Sequence, residues 1–336
     1  MGAERISPRM TQKLLRFSSG CAGTVAALAA AIIAAVSPAL AQGNDQQQFA
    51  NETINESVNT TTLFASQDIF ATGQFSKFRP GEPDTRYTTL RTPFEVKLGD
   101  SVGSWQPYAY GSGALLHVSS GAAMPPGAEG QDDFSSTKLF ALATGVGTYY
   151  QVSDEFKLAA AASLAFSHLT NHYDFNNSYS QQVLQPDSAL YYNWDMNLFT
   201  YTPTVRAIYE TRSERGAIFN YTLGYTQLFN DSIASSSPAI DIDSSTGLLW
   251  NRIAYTEPTG LELYEVPSAV RPFFQWSNIS GEAARGLDLV NLYEVGADVV
   301  FSFKEKLLVL SQMHWGASYI TGDNFEGYHL GLGGKF

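Results

Sequence analysis

From about residue 67 to the C-terminus, large apolar side chains alternate with polar or small ones. A period of two marks strands with one apolar face. The longest run is Leu287 to Phe303. Leu287, Leu289, Tyr293, Val295, Ala297, Val299, Phe301 and Phe303 share one face; Asp288, Glu294, Gly296, Asp298 and Ser302 share the other. Strands of soluble sandwiches seldom run so far, whereas a tilted strand needs about 9–11 residues to cross a bilayer and can extend beyond it. The same alternation recurs in Phe156, Leu158, Ala160, Ala162, Leu164 and Phe166, in Phe199, Tyr201, Val205, Ala207 and Tyr209, and in Ala217, Phe219, Tyr221, Leu223 and Tyr225.

Such segments fall at 67–78, 87–98, 105–118, 137–151, 156–169, 198–210, 217–229, 247–256, 261–277, 287–303, 307–320 and 326–336. Ser153-Asp154-Glu155, Ser213-Glu214-Arg215, Glu257-Pro258-Thr259-Gly260 and Lys304-Glu305-Lys306 predict tight turns. Longer polar loops are expected at 119–136, 170–190 and 230–246. Short turns at one end and long loops at the other are the habit of membrane barrels, and an even count puts both termini on one side. The predicted fold is therefore all-β: an antiparallel transmembrane β-barrel of about 12 strands over residues 67–336.

The last segment reads Gly-Tyr-His-Leu-Gly-Leu-Gly-Gly-Lys-Phe, with Tyr328, Leu330, Leu332 and Phe336 on one face. An alternating terminal strand with a final Phe resembles the sorting signal read by the outer-membrane barrel assembly machinery. The segments Leu292-Tyr293-Glu294-Val295-Gly296-Ala297-Asp298 and Tyr319-Ile320-Thr321-Gly322-Asp323-Asn324-Phe325-Glu326-Gly327-Tyr328 resemble the last hairpins of autotransporter-type barrels. Residues 60–336 are similar to the solitary outer-membrane autotransporter-like β-barrel domains, which have the barrel and no passenger. That resemblance implies residence in the cell outer membrane of a Gram-negative cell, contact with its lipid, and no cofactor. Only about 25 residues separate the expected export signal from the first strand, so no secreted passenger is expected.

Composition fits this picture. Charged residues make up 15% and aromatics 13%, with 28 Gly and one Cys. Such a balance suits a barrel whose outer face is apolar and whose lumen is small and polar. Residues 1–41 read as a cleaved signal peptide: Arg5, Arg9, Lys13 and Arg16 precede an apolar run from Cys21 to Val36, and Ala39-Leu40-Ala41 fits the small-x-small rule. Met10 is an alternative start. Cleavage removes the single cysteine and makes a chain of net charge −12 more acidic still, which excludes thiol chemistry and disfavours nucleic acid as a partner. Residues 42–66 are rich in Asn, Gln, Thr and Glu, with Phe49, Ile54 and Val58 their main large apolar side chains. They read as a periplasmic tail or a short plug.

Candidate chemistry is sparse. His117-Val118-Ser119 is the nearest approach to the His and Ser pair of outer-membrane phospholipases and deacylases, and no acidic or Asn partner follows closely. His168 and His172 with Asp174 would suit a metal on a helix; in a strand, residues four apart stand about 13 Å apart, too far for one ion. Asp231, Asp241 and Asp243 lack the glycine and spacing of a calcium loop. No catalytic, cofactor or metal residue is therefore assigned.

The lumen is more informative. Turning the apolar face outward aims Arg91, Glu95, Arg206, Arg252, Glu265, Arg271, Glu294 and Asp298 inward, together with Lys97, Glu210, Asp288 and His329. A cation facing lipid costs about 2–4 kcal/mol near the midplane, which favours this placement. Tyr108, Tyr110, Tyr149, Tyr150, Trp250, Trp276 and Trp315 suit an interfacial girdle. Mixed signs leave two readings of the lumen: a network bracing a closed interior, which is preferred, or a passage for a small solute. The leading expectation is a non-enzymatic barrel with a structural, surface or narrow-pore role; an outer-membrane hydrolase and a porin-like channel are the alternatives.

Overall fold

The structure is a computed structural model that describes residues 58–63, 72–79, 82–122, 129–185, 192–237, 240–307 and 310–335. The expected signal peptide, 1–41, lies outside the described residues, as does all of 42–66 except 58–63. Twelve antiparallel strands close into a barrel, each bonded to its neighbours in sequence. They are β1 (Thr72–Arg79), β2 (Glu82–Lys97), β3 (Trp105–Ala122), β4 (Asp133–Gln151), β5 (Phe156–Asp174), β6 (Asp195–Arg212), β7 (Ile218–Ser235), β8 (Asp243–Leu263), β9 (Val266–Gly281), β10 (Asn291–Leu307), β11 (Leu310–Gly322) and β12 (Phe325–Lys335). The seam joins β1 to β12, from Gly73 opposite His329 to Lys77 opposite Phe325.

Several strands run further than the alternation alone marked. β4 and β5 have 19 residues and β8 has 21. At ~3.3 Å per residue and a tilt of about 40°, 19 residues rise roughly 48 Å, well past a hydrocarbon core of ~30 Å. Much of the polar sequence expected to form loops at 119–136, 170–190 and 230–246 is instead strand. Hydrogen bonding does not require an apolar face once the wall leaves the bilayer.

Two turns also differ. Glu257-Pro258-Thr259-Gly260 does not reverse the chain: β8 continues to Leu263, with a register shift between Pro258 and Glu262. The reversal comes at Tyr264 and Glu265, whose positive φ angles of 50° and 65° match the mirror-image turns that suit twisted hairpins. Similarly, Lys304-Glu305-Lys306 belongs to β10, which runs to Leu307. The segment at 287–303 is strand only from Asn291, because Glu282–Leu287 forms a short helix, α2, and Asp288 ends it in the left-handed conformation. Leu287 and Leu289 are buried, not turned to lipid.

Outward positions form the expected apolar band. Leu90, Leu115, Leu142, Phe166, Phe199, Val205, Phe274 and Val295 are all exposed, an arrangement stable only against lipid. The interior is divided. Toward the end with the longer connections, inward positions are apolar: Leu116, Leu139, Leu169, Met196, Leu198, Leu228, Leu248, Ile279, Leu292 and Ile320 join one buried core. Residues 58–63 form a helical turn, α1, packed into it, with Val58 and Leu63 in the same cluster.

Polar bonds tie both helices to the wall. Asn230 Nδ2 and Thr246 Oγ1 donate to Asn59 Oδ1 of α1, at 2.7 and 3.4 Å. Thr246 Oγ1 in turn accepts the Ala283 N–H of α2 at 3.2 Å. Lys77 Nζ of β1, itself buried, donates to Gly286 O at 2.7 Å and so links the seam to α2. Above β5, buried Asp133 accepts bonds from Tyr173 Oη (2.9 Å), Asn176 N (2.7 Å) and Ser180 Oγ (3.0 Å), which organises the connection to β6.

Inward aromatic rings lie over cross-strand glycines. Tyr108 covers Gly147, Tyr110 covers Gly145 and Trp250 covers Gly224. A Cβ at Gly147 would come within 2.5 Å of the Tyr108 ring. Gly147→Val should therefore destabilise the barrel by about 1–3 kcal/mol, the usual cost of overpacking. Urea unfolding in phospholipid vesicles, followed by tryptophan fluorescence, checks this; an unchanged midpoint would contradict the packing described.

Candidate functional site: the polar half of the lumen

Toward the short-turn end the inward register changes from apolar to charged and phenolic, and two clusters form there; a third lies beside the apolar core, its Glu294 in register with Ile320. In the first, Arg206 Nη2 of β6 donates to Tyr108 Oη (2.8 Å) and to Tyr149 Oη (3.3 Å). Tyr149 Oη donates to Glu95 Oε1 at 2.8 Å, and Arg206 lies 3.7 Å from Glu95. The guanidinium also stands over both rings, 5.8 Å from Tyr108 and 5.5 Å from Tyr149, within reach of cation–π attraction. Four strands, β2, β3, β4 and β6, meet at this one cation.

Asp298 of β10 centres the second cluster. Arg271 of β9 grips its Oδ2 through Nε (2.9 Å) and Nη2 (2.6 Å), and Arg252 of β8 approaches to 3.6 Å. Arg252 also lies over the Phe273 ring, 3.7 Å from its centroid. Gly316 of β11 leaves room for this carboxylate, since a side chain there would collide with it. In the third cluster, Ser318 Oγ of β11 donates to Glu294 Oε1 at 2.5 Å, and His329 Nδ1 of β12 lies 3.3 Å from the same oxygen. Glu294 is buried. Ser318 Oγ also lies 3.3 Å from His329 Nδ1, so the hydroxyl, the imidazole and the carboxylate form one triangle of polar contacts.

The residues expected inside do not all meet there. Arg91 lies half-buried on β2, four residues from Glu95 of the first cluster. Glu265 is corrected: it is an exposed turn residue, because the hairpin reverses five residues later than the Pro-Gly signal suggests. Asp288 is likewise corrected, being the left-handed residue after α2. The expected girdle also divides. Tyr150, Trp276 and Trp315 are on the outer wall; Trp315 is 59% exposed, and Trp276 Nε1 donates to Asn291 Oδ1 at 3.1 Å. Tyr108, Tyr110, Tyr149 and Trp250 face inward instead, and Trp105 lies tilted against Tyr150 on the outside, ring centroids 4.7 Å apart. Hydropathy could not sort these rings because both faces of β3 and β4 carry aromatics. At the terminal strand, Tyr328 and Leu330 are exposed outward and Leu332 pairs with Trp315; Phe336 lies outside the described residues.

The other candidate groups lie away from the lumen. His117 and Ser119 are on the outer face of β3, with Thr88 and Lys138 as the cross-strand neighbours of His117. His168 Nδ1 is 2.9 Å from Asn197 Oδ1, and His172 is paired with Asp174 at 3.0 Å, so the two imidazoles have separate partners. Asp241 accepts from Ser232 Oγ at 3.1 Å in the β7–β8 connection.

A closed twelve-strand barrel with lipid-suited walls and a helical turn in its lumen defines an integral membrane β-barrel. The family model of the solitary outer membrane autotransporter beta-barrel domain matches residues 82–332, and the chain belongs to that family. It is thus a protein of the outer membrane. Among solved structures, the transport unit of the autotransporter AIDA-I from Escherichia coli aligns with a TM-score of 0.54 and 10% identity, over 85% of this chain and 99% of that one. The beta domain of the Bordetella autotransporter Brka aligns with a TM-score of 0.48 and 11% identity, over 77% and 96%. LpxR from Salmonella typhimurium gives a TM-score of 0.32 and 9% identity, over 74% and 88%. No curated protein sequence matches the chain.

Because Asp298 is buried while the two arginines are partly exposed, Asp298→Ala should cost about 3 kcal/mol, the low end for breaking a buried ion pair. A double-mutant cycle with Arg271→Ala should recover part of that loss. Strict additivity of the two changes would show that the pair does not brace the wall.

Proposed function

We propose that this outer-membrane barrel is a sealed, non-enzymatic scaffold that holds its long-loop surface outside the cell, and not a diffusion channel. The observation that supports this reading is the apolar filling of the lumen toward that end. α1 is buried on every residue, Asn59 is bonded to β7 and β8, and α2 closes over the same core. A solute entering from the short-turn end meets the charged clusters and then a packed interior, which at ordinary protein density has no continuous water path. Each cluster ties three or four strands together, the first reaching from β2 to β6, which suits bracing better than selectivity. In this reading the residues 42–66 include the plug.

Conductance tests the proposal directly. Refolded protein in planar bilayers should show no steady single-channel current, and deletion of residues 42–63 should raise conductance at least tenfold. Steady current through the intact barrel that Arg206→Ala or Asp298→Ala alters would overturn the sealed-lumen reading. Phospholipid turnover that disappears in Ser119→Ala would overturn the non-enzymatic one.

A further inference from the structure

We propose that the outer wall over β2–β5 binds a phosphate-bearing membrane lipid, its headgroup on Arg86, His117 and Lys138 and an acyl chain in the groove below. The inference rests on outer-membrane residence and not on whether the lumen is sealed. Strand register assembles the site. Thr88, His117, Lys138 and Thr170 are consecutive cross-strand neighbours on β2, β3, β4 and β5, and all point outward. Directly opposed side chains in such a row stand about 4.5–5.5 Å apart at Cβ, so His117 and Lys138 can share one ligand. One row nearer the loops, Arg86 lies opposite Ser119. One row nearer the membrane centre, Leu90, Leu115, Phe140 and His168 continue the wall.

A groove of about 420 Å³ spans these two lower rows and is lined chiefly by apolar atoms, with His117, Lys138 and His168 at its edge. Leu115 and Phe140 are about half exposed in it. Among the described residues neither Arg86 nor Lys138 forms an ion pair, although the chain carries a net charge of −12. Unneutralised cations on an outward wall are tolerated near the interface, where their cost falls to about 0–1 kcal/mol. They sit where the apolar band ends, at the depth of headgroups.

Neighbouring carboxylates leave that position open. Asp84 is two residues beyond Arg86 toward the loops, Asp174 is held by His172 at 3.0 Å, and Asp195 is in register with Thr170, two strands from Lys138. Asp84 and Asp174 thus lie on the loop side, Asp195 stands two strands along the same row, and the cations face the membrane side. A phosphate there would accept charge-assisted bonds from the Lys138 ammonium and the Arg86 guanidinium, and a hydrogen bond from His117. A zwitterionic headgroup would bring its own cation against them. The chemistry therefore selects an anionic headgroup attached to a chain.

Native mass spectrometry of the refolded full barrel, in neutral detergent, tests this with phosphatidic acid and phosphatidylcholine of identical chains. One phosphatidic acid should be retained, with at least tenfold less phosphatidylcholine. The double variant His117→Gln, Lys138→Gln should lower that retention at least tenfold, whereas Arg215→Gln, in a turn at the opposite end, should not. Heat-modifiable gel mobility verifies that each variant is folded. Equal retention of both lipids, or undiminished retention by the folded double variant, overturns the site. Complete displacement of the lipid by 10 mM inorganic phosphate would assign the cations to free phosphate, and also overturns it.

Discussion

Backbone hydrogen bonding in a medium without water is the constraint on which everything else in this molecule depends. A peptide group left unpaired in hydrocarbon costs several kcal/mol, so a sheet can cross a membrane only if it has no edge. Here the requirement falls on the shortest strand: β1 has eight residues and must satisfy both β2 and β12. Phe75 of β1 stacks on Phe325 of β12 at 5.9 Å, and Tyr87 of β2 leans on the same ring at 6.3 Å. Buried Lys77 then extends the seam into the interior through Gly286. Side chains beneath the closing strand thereby add to what its short ladder provides.

Once the sheet is closed, its two faces answer to different solvents. The outer face answers to lipid, and nearly any large apolar side chain will serve. The inner face answers to whatever fills the lumen, and here it changes along the axis. Near the long-loop end, Leu, Ile, Met and Trp side chains meet α1 and α2 as in a soluble core. Near the short-turn end, Arg206, Arg252 and Arg271 are offset by Glu95, Asp298 and tyrosine hydroxyls. Burial of an ion pair seldom adds much stability relative to apolar packing, but loss of one partner is costly. Such pairs therefore favour one register over others more than they add net stability, and a wall that must not slip benefits from that.

Much of the fold was legible because period-two alternation is a direct image of a strand between two media. Strand number, direction and the lipid band follow from it, as does the inward aim of Glu95, Arg206, Arg252, Arg271, Glu294 and Asp298. The errors came where that image fails. Strands above the bilayer carry no apolar face, so the extents of β4, β5 and β8 were too short. Alternation alone does not separate Tyr108, Tyr149 and Trp250 from an outer girdle, because an aromatic ring suits a lumen glycine as well as an interface. Glu265 departs from its expected place because Pro258 and Gly260 mimic a turn but sit in an irregular stretch of β8.

By itself, then, the sequence determined which side chains share a face and that the faces meet different solvents, since alternation is local. It could not say which inward groups touch. Partners such as Arg206 on β6 and Glu95 on β2 lie more than one hundred residues apart, and only closure and stagger of the barrel bring them together. The same holds for Asn59 against Asn230 and Thr246, and for the outward row of His117 and Lys138. Each pairing depends on register across strands, a long-range property that local periodicity does not encode.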